Sequence, residues 1–184
     1  MDSKLQIISG AFRGRKLRVP LSARPTQNRA RIALFNMIGS LGITPRVVWD
    51  AFAGSGAFGL EILSRFPNAH AVFTDTDAAT IKIIRENLAA LNVGPRADAV
   101  VADAVAVAQK YGADADLIFL DPPYAAADLG RALIARVAAA ARPGTVLVWE
   151  QDGAAATNPP AGWEILRDRH YGRARFLILQ RGRE

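Results

Sequence analysis

Cysteine is absent from this sequence, which excludes disulfides, thiolate zinc sites and any cysteine nucleophile. A reducing compartment fits that absence. No run of eighteen apolar residues occurs, and the first twenty residues, MDSKLQIISGAFRGRKLRVP, hold neither the apolar stretch nor the small-residue cleavage site of a secretory signal. The expectation is a soluble cytoplasmic protein of 184 residues, the size of one domain with a small appendage, with 51% hydrophobic residues for its core. Acidic charge is scarce at the front. Through Arg31 only Asp2 opposes eight bases (Lys4, Arg13, Arg15, Lys16, Arg18, Arg24, Arg29 and Arg31), while the rest of the chain nearly balances. The excess behind the net charge of +6 therefore lies in the N-terminal sixth and points to a polyanionic partner. Ile7, Ile8, Phe12, Leu17 and Val19 interleave with those bases, more apolar content than a disordered arm carries.

From Arg46 onward, short apolar runs alternate with helical periodicity. Val47 to Trp49 is a strand ending at Asp50, and a Gly-rich loop then opens a helix running to about Arg65. Further strands are predicted at Ala69 to Asp75, Ala97 to Asp103, Asp116 to Asp121 and Thr145 to Glu150. A helix capped by Asp77 repeats Ile81, Ile84, Leu88 and Leu91, and another spans Asp128 to Ala141. This alternation implies right-handed crossovers and a mostly parallel sheet covered on both faces. The tail differs: Trp163 to Tyr171 and Ala174 to Arg181 flank a Gly172-Arg173 turn and predict an antiparallel hairpin at the sheet edge. At the front a small hairpin is expected around Gly10 and Gly14. A helix follows from a Thr26 or Asn28 cap to about Ser40, burying Ile32, Phe35, Met37 and Ile38. The stretch Ala154 to Pro160 reads as a loop.

The stretch D-A-F-A-G-S-G-A-F-G, Asp50 to Gly59, contains the spacing G-x-G-x-x-G. For a dinucleotide that loop would set a pyrophosphate against a helix N-terminus, where Asp50 would add an unwelcome negative charge. Asp50 suits a ligand bearing an ammonium or sulfonium. Asp50, Asp75, Asp103 and Asp121 each close a predicted strand, at the edge where ligands of open parallel sheets bind. S-adenosylmethionine answers the series: Asp50 for its ammonium, Asp75 for the ribose diol, Asp103 for the adenine amine. Gly54 and Gly56 are expected to let the backbone approach that cofactor.

D-P-P-Y, Asp121 to Tyr124, follows the apolar fourth strand. An exocyclic base amine is a poor nucleophile because its lone pair is delocalised into the ring. Asp121 and the Pro122 carbonyl can accept its two N–H groups, the prolines hold that carbonyl rigidly, and Tyr124 offers a face for the base to stack on. Direct displacement of this kind calls for no metal and no covalent intermediate. Missing cysteine also excludes the thiolate-addition route to a carbon of a pyrimidine. On D-P-P-Y alone an N6-adenine methyltransferase acting on DNA or RNA stays open, as does an RNA-binding assembly factor without turnover.

With these motifs in place, the sequence resembles the RsmD-type 16S rRNA guanine-N2 methyltransferases over nearly its full length. The carrying stretches are Ile7 to Leu17, Arg24 to Ile38, Asp50 to Arg65, Asp75/Asp77, Asp103-Ala104, D-P-P-Y and the closing RHYGRARFLIL. The resemblance implies a Rossmann-like α/β class I methyltransferase fold with a seven-stranded sheet. It implies a methyltransferase domain at 46–184 behind a basic RNA-binding hairpin and helix at 1–45. It also implies cofactor contacts from Asp50, Phe52, Gly54, Gly56, Asp75, Asp103 and Ala104, and a guanine held by Asp121, Pro122, Pro123 and Tyr124. Arg13, Arg15, Lys16, Arg18 and Arg24 would grip the rRNA of the small ribosomal subunit. A monomer without membrane attachment or metal is expected. The sequence departs from the family at Asn28 and Ile32, where acids are common, and at Asp75, where Glu is usual.

Overall fold

In the computed structural model, which describes residues 5–20, 28–123, 127–153 and 159–182, the elements run α1 (Asn28–Ser40), β1 (Val47–Asp50), α2 (Ala57–Arg65), β2 (His70–Asp75), α3 (Ala78–Ala90), β3 (Ala97–Val101), α4 (Ala108–Asp114), β4 (Leu117–Leu120), α5 (Ala127–Ala138), β5 (Val146–Asp152), β6 (Trp163–Tyr171) and β7 (Ala174–Arg181). The seven strands form one sheet in the order β3-β2-β1-β4-β5-β7-β6. Strands β1 to β5 are parallel, and β7 pairs antiparallel with β5 and β6. The order turns outward in both directions from the β1/β4 pair, so this is the switch point where a doubly wound sheet opens a crevice.

Apolar runs without alternation make the central strands. All four residues of β4, Leu117 to Leu120, are buried, as a parallel strand covered on both faces requires. On one face Phe119, Val148, Phe176 and Ile178 meet Leu34, Phe35 and Ile38 of α1 and Phe58 and Ile62 of α2. On the other, Trp49, Ile118, Leu147 and Trp149 meet Ala108 of α4 and Leu133, Ile134 and Val137 of α5. Asp77 caps α3 as expected, its Oδ1 accepting from the Ala79 N–H at 2.9 Å.

Three expectations need correction. Ile32 is not in the buried face of α1: it is 42% exposed, and the stripe facing the core is Ala30, Arg31, Leu34, Phe35, Met37 and Ile38. At about 100° per residue, a stripe centred on Leu34 and Ile38 leaves Ile32 on the opposite side. Helix α5 ends at Ala138, three residues before Ala141. The front hairpin makes a single antiparallel bridge, Gln6 with Lys16, flanked by bonds from Ile7 N–H to the Arg15 carbonyl and from Leu17 N–H to the Leu5 carbonyl. The proposed Thr26 cap and most of the loop at 154–160 lie outside the described residues.

That front segment is bound into the molecule. Leu5, Ile7 and Leu17 share a core with Leu60 and Leu63 of α2, Phe73 of β2 and Ile81, Ile84 and Leu88 of α3. The fully buried Glu61 accepts from Ile8 N–H (2.8 Å), Ser9 N–H (2.9 Å) and Arg65 Nε (2.7 Å), so one carboxylate of α2 fixes the turn. Gly10 sits at φ 85° against α2, and a Cβ there would fall on the Ser64 carbonyl. Gly10→Ala is therefore expected to lower unfolding free energy by about 2–4 kcal/mol, through a forbidden φ and a backbone clash together. Thermal unfolding followed by circular dichroism measures it; an unchanged melting temperature would mean that the segment does not hold this turn in solution.

Candidate active site

The carboxyl ends of β1 and β4 lie side by side, and each delivers an acid. Asp50, the last residue of β1, is 1% exposed. Its Oδ2 accepts from the Gly59 N–H at 3.0 Å, whereas Oδ1 is buried without a partner among the described residues. Burial pushes this carboxyl well above the usual range, Asp121 and Asp75 push the same way, and only the Gly59 N–H opposes them. Asp121 leaves β4 half-buried, and burial raises its carboxyl to about 7. Two carboxyls in one low-dielectric site resist ionising together.

The loop between β1 and α2 is held from β2. Ala53 N–H donates to the Thr74 carbonyl (2.9 Å) and Gly54 N–H to Asp75 Oδ2 (3.0 Å). Trp49 Nε1 donates to Thr74 Oγ1, whose hydroxyl donates in turn to the Ala51 carbonyl. The glycines have separate reasons. A Cβ on Gly54 would meet only the Phe52 carbonyl at 3.9 Å, so that position opens on space that a ligand can use. Gly56 (φ 71°) is packed under Ile84 and Leu60, and a Cβ on Gly59 would strike the Phe73 ring. The Gly59 position thus serves helix–strand packing, whereas Gly56 needs glycine for its left-handed backbone.

A cleft opens above β1, β4 and β5 and is lined by Arg31, Asp50, Gly54, Phe58, Asp121 and Glu150, among others. Phe58 stacks on Phe119 (centroids 4.1 Å apart, 13° between planes) and on Phe35 (5.4 Å, 23°), giving one wall a rigid aromatic face.

Of the residues the sequence singles out, Asp50, Phe52, Gly54 and Asp121 line this cleft together. Asp75 touches its loop through Gly54 and uses Oδ1 for the Asp77 N–H. Asp103 and Ala104 do not line it: Ala104 is a buried core residue, and exposed Asp103 accepts at Oδ1 from Val105 and Ala106 N–H, closing the turn after β3. Pro122 is buried and Pro123 exposed; Tyr124 and Arg24 lie outside the described residues. Arg13, Arg15, Lys16 and Arg18 are all exposed, though Arg15 also donates to the Ala90 carbonyl (3.2 Å) and Arg18 pairs with Glu86 (2.6 Å). Asn28 and Ile32, the family departures, are exposed and off the cleft. Arg31, Phe58, Glu150 and Phe176 line the cleft without having been singled out. The phenylalanines read as core, and nothing in a helical sequence distinguishes an inward arginine from a solvated one.

The sequence matches, over residues 5–180, the family described as Conserved hypothetical protein 95. Ribosomal RNA small subunit methyltransferase D of Escherichia coli is 33% identical, over 98% of this chain and 91% of that protein. The chain belongs to the ribosomal RNA small subunit methyltransferase D family. The solved structure of the yhhF methyltransferase of Escherichia coli superposes with a TM-score of 0.84 at 32% identity, covering 98% of this chain and 99% of that one. An RNA methyltransferase of Salinibacter ruber, solved with S-adenosyl-L-homocysteine, shares the fold at a TM-score of 0.68 and 17% identity, covering 88% of this chain and 95% of that one. The architecture is accordingly the Rossmann-like class I methyltransferase fold that the resemblance implied. Among the described residues no helix is long and apolar enough to cross a membrane.

Proposed function

We propose that this member of the family transfers a methyl group from S-adenosylmethionine to the exocyclic N2 amine of a guanine in 16S rRNA. The observation that carries the reading is the meeting of Asp50, Gly54 and Asp121 in one cleft at the switch point, with Asp50 Oδ1 buried and unpartnered. An orphaned carboxylate oxygen is a costly thing to bury, and a ligand's ammonium satisfies it. The Gly54 side of the loop leaves room for the rest of the molecule. Half-buried Asp75 keeps lone pairs for a ribose diol, and exposed Asp103 keeps Oδ2 for an adenine amine.

The cofactor supplies a methyl group activated on a sulfonium. Asp121 accepts one N–H of the guanine amine and the Pro122 carbonyl accepts the other, which tips the nitrogen out of the ring plane and turns its lone pair outward. Buried Pro122 next to exposed Pro123 makes a stiff support for that carbonyl. Tyr124 would stack on the base. As the amine is methylated it loses a proton, and Asp121, ionised when the base binds, is placed to take it. Residues 1–45 form the RNA-facing part, with Arg13, Arg15, Lys16, Arg18 and Arg24 neutralising phosphates, so affinity for RNA falls as salt rises.

Transfer of labelled methyl groups to small subunits lacking the modification, followed by nucleoside analysis, tests the proposal. N2-methylguanosine is the expected product. N6-methyladenosine would move the assignment to the other amine that a D-P-P-Y loop can hold, and tight binding of subunits without transfer would make the protein an assembly factor.

A further inference from the structure

Arg31 is the one cation among the described residues lining the cleft, and it is 4% exposed. Its Nη2 donates to the Gln6 carbonyl at 2.7 Å, while Nε and Nη1 are buried without an acceptor among the described residues. The acid nearest in influence, Glu61, is already engaged by Ile8, Ser9 and Arg65. Burial makes the charged guanidinium less favourable than in water, neighbouring Arg65 adds to this, and Glu61 offsets it in part. A buried arginine with two idle nitrogens is a site waiting for an anion.

The geometry points to Arg31 as the receptor of the methyl donor's carboxylate, an assignment that rests on the methyl-donor reading above. The amino-acid end of that ligand is a zwitterion whose ammonium and carboxylate sit on one carbon. A cleft that takes it needs an unpartnered acid and an unpartnered base within one small space, and Asp50 Oδ1 with Arg31 Nε and Nη1 are that pair. The other charged groups lining the cleft, Asp121 and Glu150, are acids and would repel a carboxylate. A phosphate of the RNA backbone is the competing anion, but a polymer backbone meets the exposed arginines at the front before it reaches the buried guanidinium of Arg31 on α1. Arg31 thereby links two parts of the molecule: one nitrogen holds the front segment at Gln6, and the others hold the ligand.

The test compares, by calorimetry, S-adenosylhomocysteine with its decarboxylated analogue, which keeps the ammonium and lacks the carboxylate. The native protein is expected to bind the analogue about 10- to 100-fold more weakly, the range of a charge-assisted contact. In Arg31→Gln, S-adenosylhomocysteine should weaken by a similar factor and the analogue should change by no more than about threefold. Arg31→Lys, which keeps the charge, should fall between. Because the first comparison uses the unaltered protein, a folding defect in either variant does not blur it. Equal binding of the two ligands by the native protein, or an unchanged ratio in a folded Arg31→Gln, overturns the assignment and leaves the methyl-donor reading standing. Loss of affinity for RNA in Arg31→Gln with an unchanged ratio gives Arg31 to a phosphate and also overturns it. Failure of the native protein to bind S-adenosylhomocysteine and S-adenosylmethionine at all overturns both.

Discussion

Asp121→Ala is expected to reduce methyl transfer by about 10²- to 10⁴-fold, the range for removing a positioned proton acceptor, while the protein remains folded. Asp121 stands at the exit of β4 with the raised carboxyl described above, so its ionised fraction changes around pH 7. An ionised Asp121 is the better acceptor, so transfer should rise with pH and level off above about 7. A bound sulfonium favours the ionised form and draws this limb to lower pH. The same shift fixes the sign for stability. A carboxyl raised from 3.8 to about 7 contributes to folding below the lower value, and that contribution is lost as pH rises through the upper one. Asp121→Ala should therefore melt higher than the native protein at pH 8 and lose that advantage toward pH 4. Pairing a pH–rate profile with melting curves tests both halves. Near-normal transfer by the folded variant would remove Asp121 from the chemistry.

What the sequence discloses follows the reach of each interaction. Buried parallel strands print themselves as apolar runs, so β4 and the hairpin of β6 and β7 stand at or near the expected boundaries, and the strand-end acids fall at one edge of the sheet. Helix α4 announces itself poorly because only Ala108 and Gly112 are buried, and two small residues leave no apolar stripe to read. Arg31 rather than Ile32 faces inward on α1, and the sequence does not show it because burial of that charged side chain depends on a carbonyl 25 residues away, at Gln6. Glu61 is hidden for the same reason: its partners Ile8 and Ser9 lie more than 50 positions earlier. The glycine motif is legible as spacing, yet the reasons differ residue by residue: open space at Gly54, left-handed backbone under Ile84 at Gly56, and the Phe73 ring at Gly59. Only packing separates them.

Asp50→Asn should weaken S-adenosylmethionine binding by about 10- to 100-fold, corresponding to loss of a charge-assisted hydrogen bond of about 1.5–3 kcal/mol. Asparagine is nearly isosteric and can still accept from the Gly59 N–H, so the loop between β1 and α2 keeps its anchor. What disappears is the charge. Because burial and the neighbouring acids hold the Asp50 carboxyl high, the native protein must release a proton there to bind an ammonium. Native affinity should accordingly increase with pH, and the variant should lose the part of that rise that Asp50 supplies while keeping the smaller part that follows Asp121 ionisation near 7. Stability moves the opposite way: a raised carboxyl stabilises the fold at low pH and ceases to do so as pH rises, so Asp50→Asn should gain over the native protein at alkaline pH. Calorimetric titrations at several pH values, with buffers of different ionisation heat to count protons, measure the first effect, and melting curves the second. A variant less stable at alkaline pH yet unaltered in affinity would make Asp50 a brace for Gly59 alone, and the charge of the cleft would then have to be explained without it.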